Sequence, residues 1–104
     1  MPIYRDCRVE VVCVEPGSCV AFDVDDADLR LDADGLELSF WDEEGAYVFN
    51  APPNAEGHYQ LVCRSRPRTG TLHRPTDEPW FVGAWRERDQ RGYWRVQLGR
   101  EESD

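Results

Sequence analysis

Apolar and polar side chains alternate along this chain in short runs, interrupted by Gly, Pro, Asn and Asp roughly every eight to twelve residues, which is the period-two pattern of β-strands. No segment carries a convincing helical period. The pattern predicts an all-β fold of about eight or nine short antiparallel strands in a meander, closed as a small barrel or stacked as a two-layer sandwich. Both architectures bury one face of each strand, so alternation alone leaves the choice open. Residues 1–100 are expected to form a single domain and the acidic tail at 101–104 to fray.

The strongest hairpin signal is Asp34 followed by Gly35, a pair preferred in type I′ turns. A two-residue loop there sets Ala33 opposite Leu36, Leu31 opposite Leu38 and Leu29 opposite Phe40, while Arg30, Asp32, Glu37 and Ser39 take the other face. Residues 80–98 form an aromatic hairpin. A turn at Asp89 and Gln90 pairs Trp85 with Trp94, Gly83 with Val96 and Phe81 with Leu98, and leaves Arg86, Arg88 and Arg95 off that apolar face. Residues 39–50 make a further hairpin with two readings. A two-residue loop at Glu43 and Glu44 and a three-residue loop with a bulge at Gly45 turn Tyr47 and Phe49 to opposite faces, and the bulge is preferred.

Residues 8–14 read as a β-branched strand that runs into a turn at Glu15, Pro16, Gly17 and Ser18, with residues 19–24 as the return strand. Pro52 and Pro53 lack ladder donors, so residues 51–57 form a loop. Residues 58–65 form a strand with Tyr59, Leu61 and Cys63 on one face and His58, Gln60 and Val62 on the other. A basic turn at 66–70, a brief strand at 71–73 and a connection at 74–79 lead into the aromatic hairpin.

Charge moves the question from fold to function. The formal net charge of −9 argues against a general nucleic-acid binder, whose affinity comes from cationic side chains displacing counterions from phosphates. All 12 basic residues are Arg, which a GC-rich coding preference explains more simply than chemistry, although the guanidinium fork suits carboxylates. Residues 1–63 hold 3 Arg and 14 acids, whereas residues 64–100 hold 9 Arg and 4 acids, so the chain is electrostatically polarised. The first residues form no apolar leader, and nowhere do about 18 apolar residues run together, which predicts neither a signal peptide nor a membrane span. The default compartment is the cytoplasm, where Cys7, Cys13, Cys19 and Cys63 would all be reduced.

Candidate chemistry is thin. Cys7, Cys13 and Cys19 are evenly spaced, but six residues of straight strand span about 20 Å and no C-x₂₋₄-C knuckle is present. Buried free thiols are the simpler reading, and no metal or cofactor is expected. Nucleophilic catalysis would have to use His58 or His73, neither of which sits in a recognisable motif. Asp23, Asp25, Asp26, Asp28, Asp32 and Asp34 resemble a calcium loop, but an EF-hand alignment ending at Gly35 puts Arg30 at the first ligand position and Trp41 where the bidentate Glu belongs. Pairs of acids at glycosidase spacing occur on any acidic sheet and carry no weight.

The 12 aromatic residues, four each of Trp, Tyr and Phe, exceed what so small a core needs as filler. Trp85 and Trp94 read as a core pair, while Trp41, Trp80 and Tyr93 have the opposite parity, so at least one of them belongs near solvent. The expected binding residues are Trp41, Trp80, Arg86, Arg88, Tyr93 and Arg95, with Arg91 beside them. The leading expectation is a non-catalytic protein-binding module, either a homodimer or an acidic inhibitor of immunity type, with no nucleic acid and no membrane among its partners. Its acidic face at 23–44 and Arg-bearing face at 64–95 would meet opposite charge. Two alternatives stand beside it. One is a small-molecule carrier with a barrel mouth lined by Trp41, Tyr47 and Trp85, which requires an interior cavity. The other is a small hydrolase-like enzyme, which requires His58 or His73 to converge with a Cys or Asp.

Overall fold

The computed structural model describes residues 3–15, 22–42, 45–53, 57–64, 66–76, 78–88 and 90–102. Nine strands follow one another: β1 (Ile3–Glu15), β2 (Phe22–Asp32), β3 (Gly35–Asp42), β4 (Gly45–Ala51), β5 (His58–Cys63), β6 (Arg68–His73), β7 (Trp80–Glu87), β8 (Gln90–Gln97) and β9 (Arg100–Glu102). Each pairs antiparallel with the next from β1 to β8, and β8 pairs with β1, so the first eight close into a barrel. The structure thus resolves the open choice in favour of the barrel. No helix forms among the described residues, and so none is long and apolar enough to cross a membrane.

Eight strands enclose just enough space for their own inward side chains. The interior is packed by Leu29, Leu38, Phe40, Tyr47, Phe49, Leu61, Leu72, Phe81, Trp85 and Trp94, together with smaller apolar residues, and no described polar or charged residue is buried. Phe40, Tyr47 and Phe49 stack with ring centroids 5.1 to 6.3 Å apart, and Trp94 meets Phe49 edge-on at 5.0 Å. Strand parity is as the alternation predicts: Leu61 and Cys63 point inward, while His58, Gln60 and Val62 point out.

Register departs from expectation in three hairpins. Between β2 and β3, Leu31 faces Leu36 and Leu29 faces Leu38, so the loop is Ala33 and Asp34 rather than Asp34 and Gly35. The Asp32 carboxylate accepts the Asp34 N–H at 2.7 Å and fixes this earlier turn. Gly35 joins the ladder opposite Asp32 at φ +124°, where a Cβ would collide with the Ala51 carbonyl oxygen. The β7–β8 turn is likewise one residue earlier, with Arg88 at φ +56° and Glu87 opposite Gln90. Trp85 therefore faces Gly92, Trp94 faces Gly83 and Phe81 faces Val96, in place of the expected Trp pair. The missing side chains make room for the indoles, since a Cβ at Gly92 would lie 2.9 Å from Trp85 Nε1. Between β3 and β4, Asp42 faces Gly45, which overturns the preferred bulge and brings Tyr47 and Phe49 inward, with Tyr47 facing Phe40.

Strand boundaries also shift. β1 starts at Ile3 and bulges at Asp6, where φ is +58° and the pairing to β2 slips between Tyr4 and Cys7. β6 begins at Arg68, within the expected basic turn. The tail expected to fray from Glu101 instead starts in β9, which places Glu101 opposite Tyr4. Cys13 is disulfide-bonded, which corrects the expectation of four reduced thiols, whereas Cys7 and Cys63 are buried and form no disulfide. Cys19, the expected turn residues Pro16, Gly17 and Ser18, and the start of the return strand lie outside the described residues.

Candidate recognition face

The outer wall of β6, β7, β8 and β1 carries three cross-strand rows. Val12, Tyr93 and Ala84 stand side by side in the middle row, with the Thr71 hydroxyl accepting the Ala84 N–H at 3.2 Å. One row on, Arg91 faces Arg86, and Arg86 faces Thr69. On the other side, Glu10 faces Arg95, Arg95 faces Val82 and Val82 faces His73. Tyr93 is 62% exposed and Val12 49%, with Val14 and Val82 also open to solvent, so the wall presents apolar side chains where strand alternation normally places polar ones.

Tyr93 separates two clefts. The first, of about 390 Å³, is bounded by Arg86, Arg91, Thr69 and Val14. The second, of about 610 Å³, is bounded by Val12, Val82, Glu10 and Arg95. Arg86 and Arg91 are like charges directly opposite each other, an arrangement that costs stability, and neither makes an ion pair with a described residue. Arg88 extends the same charge onto the β7–β8 turn. The wall is held from inside by its two tryptophans: Trp85 Nε1 donates to the Val12 oxygen at 3.3 Å and Trp94 Nε1 to the Thr71 oxygen at 2.8 Å.

Of the six expected binding residues, Tyr93, Arg86 and Arg95 share this wall. Trp80 lies half-buried at its edge beneath the Arg95 guanidinium, 4.8 Å from ring centroid to Cζ, and Arg88 sits on the adjoining turn. Trp41 is set apart. It is 69% exposed but projects from β3, three strands around the barrel from β8. Val12, Val14 and Val82 were missed by sequence reasoning; for Val12 and Val14 the signal was the unbroken apolar run at 11–14, which greases both faces of one strand.

The acidic side differs. Asp28 accepts a hydrogen bond from Arg5, and that bond and its charge raise the Arg5 pKa above its ordinary value; Asp23 does the same for Arg8. Glu37 is engaged by Arg30 and Asn50, and Asp32 by Arg30. The mouth expected to hold a small molecule is closed. Tyr47 and Trp85 are buried beneath Arg68, whose guanidinium lies 4.8 and 4.9 Å from their rings and pairs with Glu87 at 2.7 Å. His58 and His73 stack on one another at 4.1 Å rather than converging with a cysteine or aspartate. Among the described residues, no three His, Cys, Asp or Glu side chains gather around a common point. No protein-family description, curated protein or solved structure matches this chain.

Proposed function

We propose that this chain is a non-catalytic protein-binding module that recognises its partner through the outer wall of β6, β7, β8 and β1. The observation that carries this reading is Tyr93: a largely exposed aromatic between an apolar cleft and two arginines that form no ion pair with a described residue. Exposed aromatic and guanidinium groups around an apolar centre are the composition of interface hot spots. The partner supplies an apolar group for the Val12 and Val82 side and carboxylates for Arg86 and Arg91. This shifts the emphasis of the charge argument. Asp23, Asp25, Asp28 and Asp32 of β2 are already engaged by the chain's own arginines, so the basic wall is better placed to recognise a partner than an acidic face shielding a basic one. The small-molecule carrier has less support, because the barrel interior is filled with side chains. The cytoplasmic expectation belongs to this reading too, and the disulfide at Cys13 weighs against it, because stable cytosolic disulfides are rare.

The test is capture from native lysate with wild-type bait beside an Arg86→Glu/Arg91→Glu double variant and a Tyr93→Ala variant, each checked for folding by circular dichroism. The reading requires a protein retained by wild type, lost from both variants, and released between about 50 and 500 mM salt. Identical protein sets on all three baits would overturn it.

A further inference from the structure

Next to the recognition wall, His58 and His73 face each other directly across the β5–β6 ladder on the outside of the barrel. Their rings are nearly parallel, 22° apart, with centroids 4.1 Å from each other. They line a cleft of about 540 Å³ with Pro52, Pro53, Gln60 and Val82. His73 Nδ1 is buried there without a hydrogen-bond partner, a costly position for a ring nitrogen. A half-turn of the imidazole puts carbon at that position and moves Nδ1 to the place now held by Cδ2.

From this juxtaposition we propose that His58 and His73 form a two-histidine site for a divalent transition-metal ion of borderline softness, such as Ni²⁺ or Zn²⁺. Imidazole nitrogen suits these ions, whereas Mg²⁺ and Ca²⁺ prefer oxygen. Two nitrogens each about 2.0–2.1 Å from one ion stand roughly 3 Å apart. Rings already stacked at 4.1 Å reach that separation by turning about their side-chain bonds, with no movement of the paired strands. With no third histidine, cysteine or carboxylate gathered there among the described residues, water occupies the remaining coordination positions. The site is therefore open and exchangeable rather than a structural cage. The net charge of −9 adds a long-range attraction for cations.

The experiment uses untagged full-length protein with NiCl₂ and ZnCl₂, followed by calorimetric titration and by melting temperature, with MgCl₂ as the hard-cation control. Both transition ions should bind with one-to-one stoichiometry and raise the melting temperature, and Mg²⁺ should do neither. His58→Gln and His73→Gln should each weaken the apparent Kd by roughly tenfold or more. Both variants retain the chain's four cysteines and all its acids, so a loss of affinity assigns the ion to the imidazoles. Unchanged affinity in the two variants, an equal response to Mg²⁺, or no binding by wild type at about 100 µM metal would each overturn the proposal. Heteronuclear spectra of the ring nitrogens provide a second readout: wild-type His58 and His73 resonances should shift on adding Zn²⁺, and static resonances would count against coordination.

Discussion

Trp94 donates its indole N–H to the main-chain oxygen of Thr71, 2.8 Å away and on a strand not paired with its own. The β6–β7 ladder pairs Gly70 with Trp85 and His73 with Val82, and in the gap the Thr71 hydroxyl takes the Ala84 N–H. A side chain that fills the core thus also completes the hydrogen bonding of the wall. Trp94→Phe keeps an aromatic ring but leaves the Thr71 oxygen without its donor, which should cost about 1–3 kcal/mol. Trp94→Ala adds a cavity and should cost about 3–5 kcal/mol. Urea denaturation distinguishes them: a Phe variant with the wild-type midpoint would show that volume, not the bond, matters at this position.

Gly35 provides a test of register. Its φ of +124° and the Ala51 carbonyl oxygen over its α-carbon leave no room for a side chain. Were Gly35 the second loop residue of a type I′ turn, Asn would be tolerated there better than Ala, because it enters the positive-φ region more readily. As a ladder residue beneath Ala51, it should tolerate Asn no better than Ala, and both variants should melt well below wild type. A Gly35→Asn variant of native stability would restore the later turn.

The same contrast explains what the chain disclosed before its fold was known. Parity was legible, because the interior of a small barrel admits only apolar side chains; Leu29, Leu38, Trp85, Trp94, Leu61 and Cys63 point inward as alternation requires. Register was not. Backbone freedom points to glycine as part of the Asp34 turn, whereas Gly35 serves as a thin point beneath a neighbouring strand, just as Gly92 serves as a thin point beneath the Trp85 indole. Such a need arises from strands distant in sequence and leaves no local mark. The candidate wall was half legible for a related reason. Tyr93, Arg86 and Arg95 share a hairpin, so their proximity is local, but Val12 joins them only through β1–β8 closure, and Trp41 is carried away by the curvature of the sheet.

Arg86 and Arg91 should trade stability against recognition. Removing one of two opposed like charges relieves repulsion, so Arg91→Gln should raise stability by about 0.5 kcal/mol in dilute buffer. The gain should fade toward roughly 500 mM salt as screening weakens the repulsion. The same substitution should weaken partner capture. A variant that is less stable in dilute buffer would mean that Arg91 supports the wall rather than waiting for a counter-charge.

Cys7 links the packing of the barrel to an alkaline limit on stability. Its side chain is fully buried, with Sγ 3.5 Å from both the Tyr4 oxygen and the Gly99 nitrogen, and burial pushes its pKa above the ordinary thiol value. Below about pH 8.5 the thiol is protonated in folded and unfolded chains alike, and its contribution does not vary. As pH rises past that point, the unfolded chain releases its proton while the folded chain retains it, so the folded state binds more protons and stability falls until the raised pKa is passed. Cys7→Ala should begin somewhat less stable, through the lost sulfur contacts, but should decline less steeply above about pH 8.5. Equilibrium urea unfolding from pH 7 to 10 reads both slopes, and parallel declines in the two proteins would remove Cys7 as the cause. The same burial should leave Cys7 unreactive toward a neutral alkylating reagent in the folded protein and readily labelled in urea.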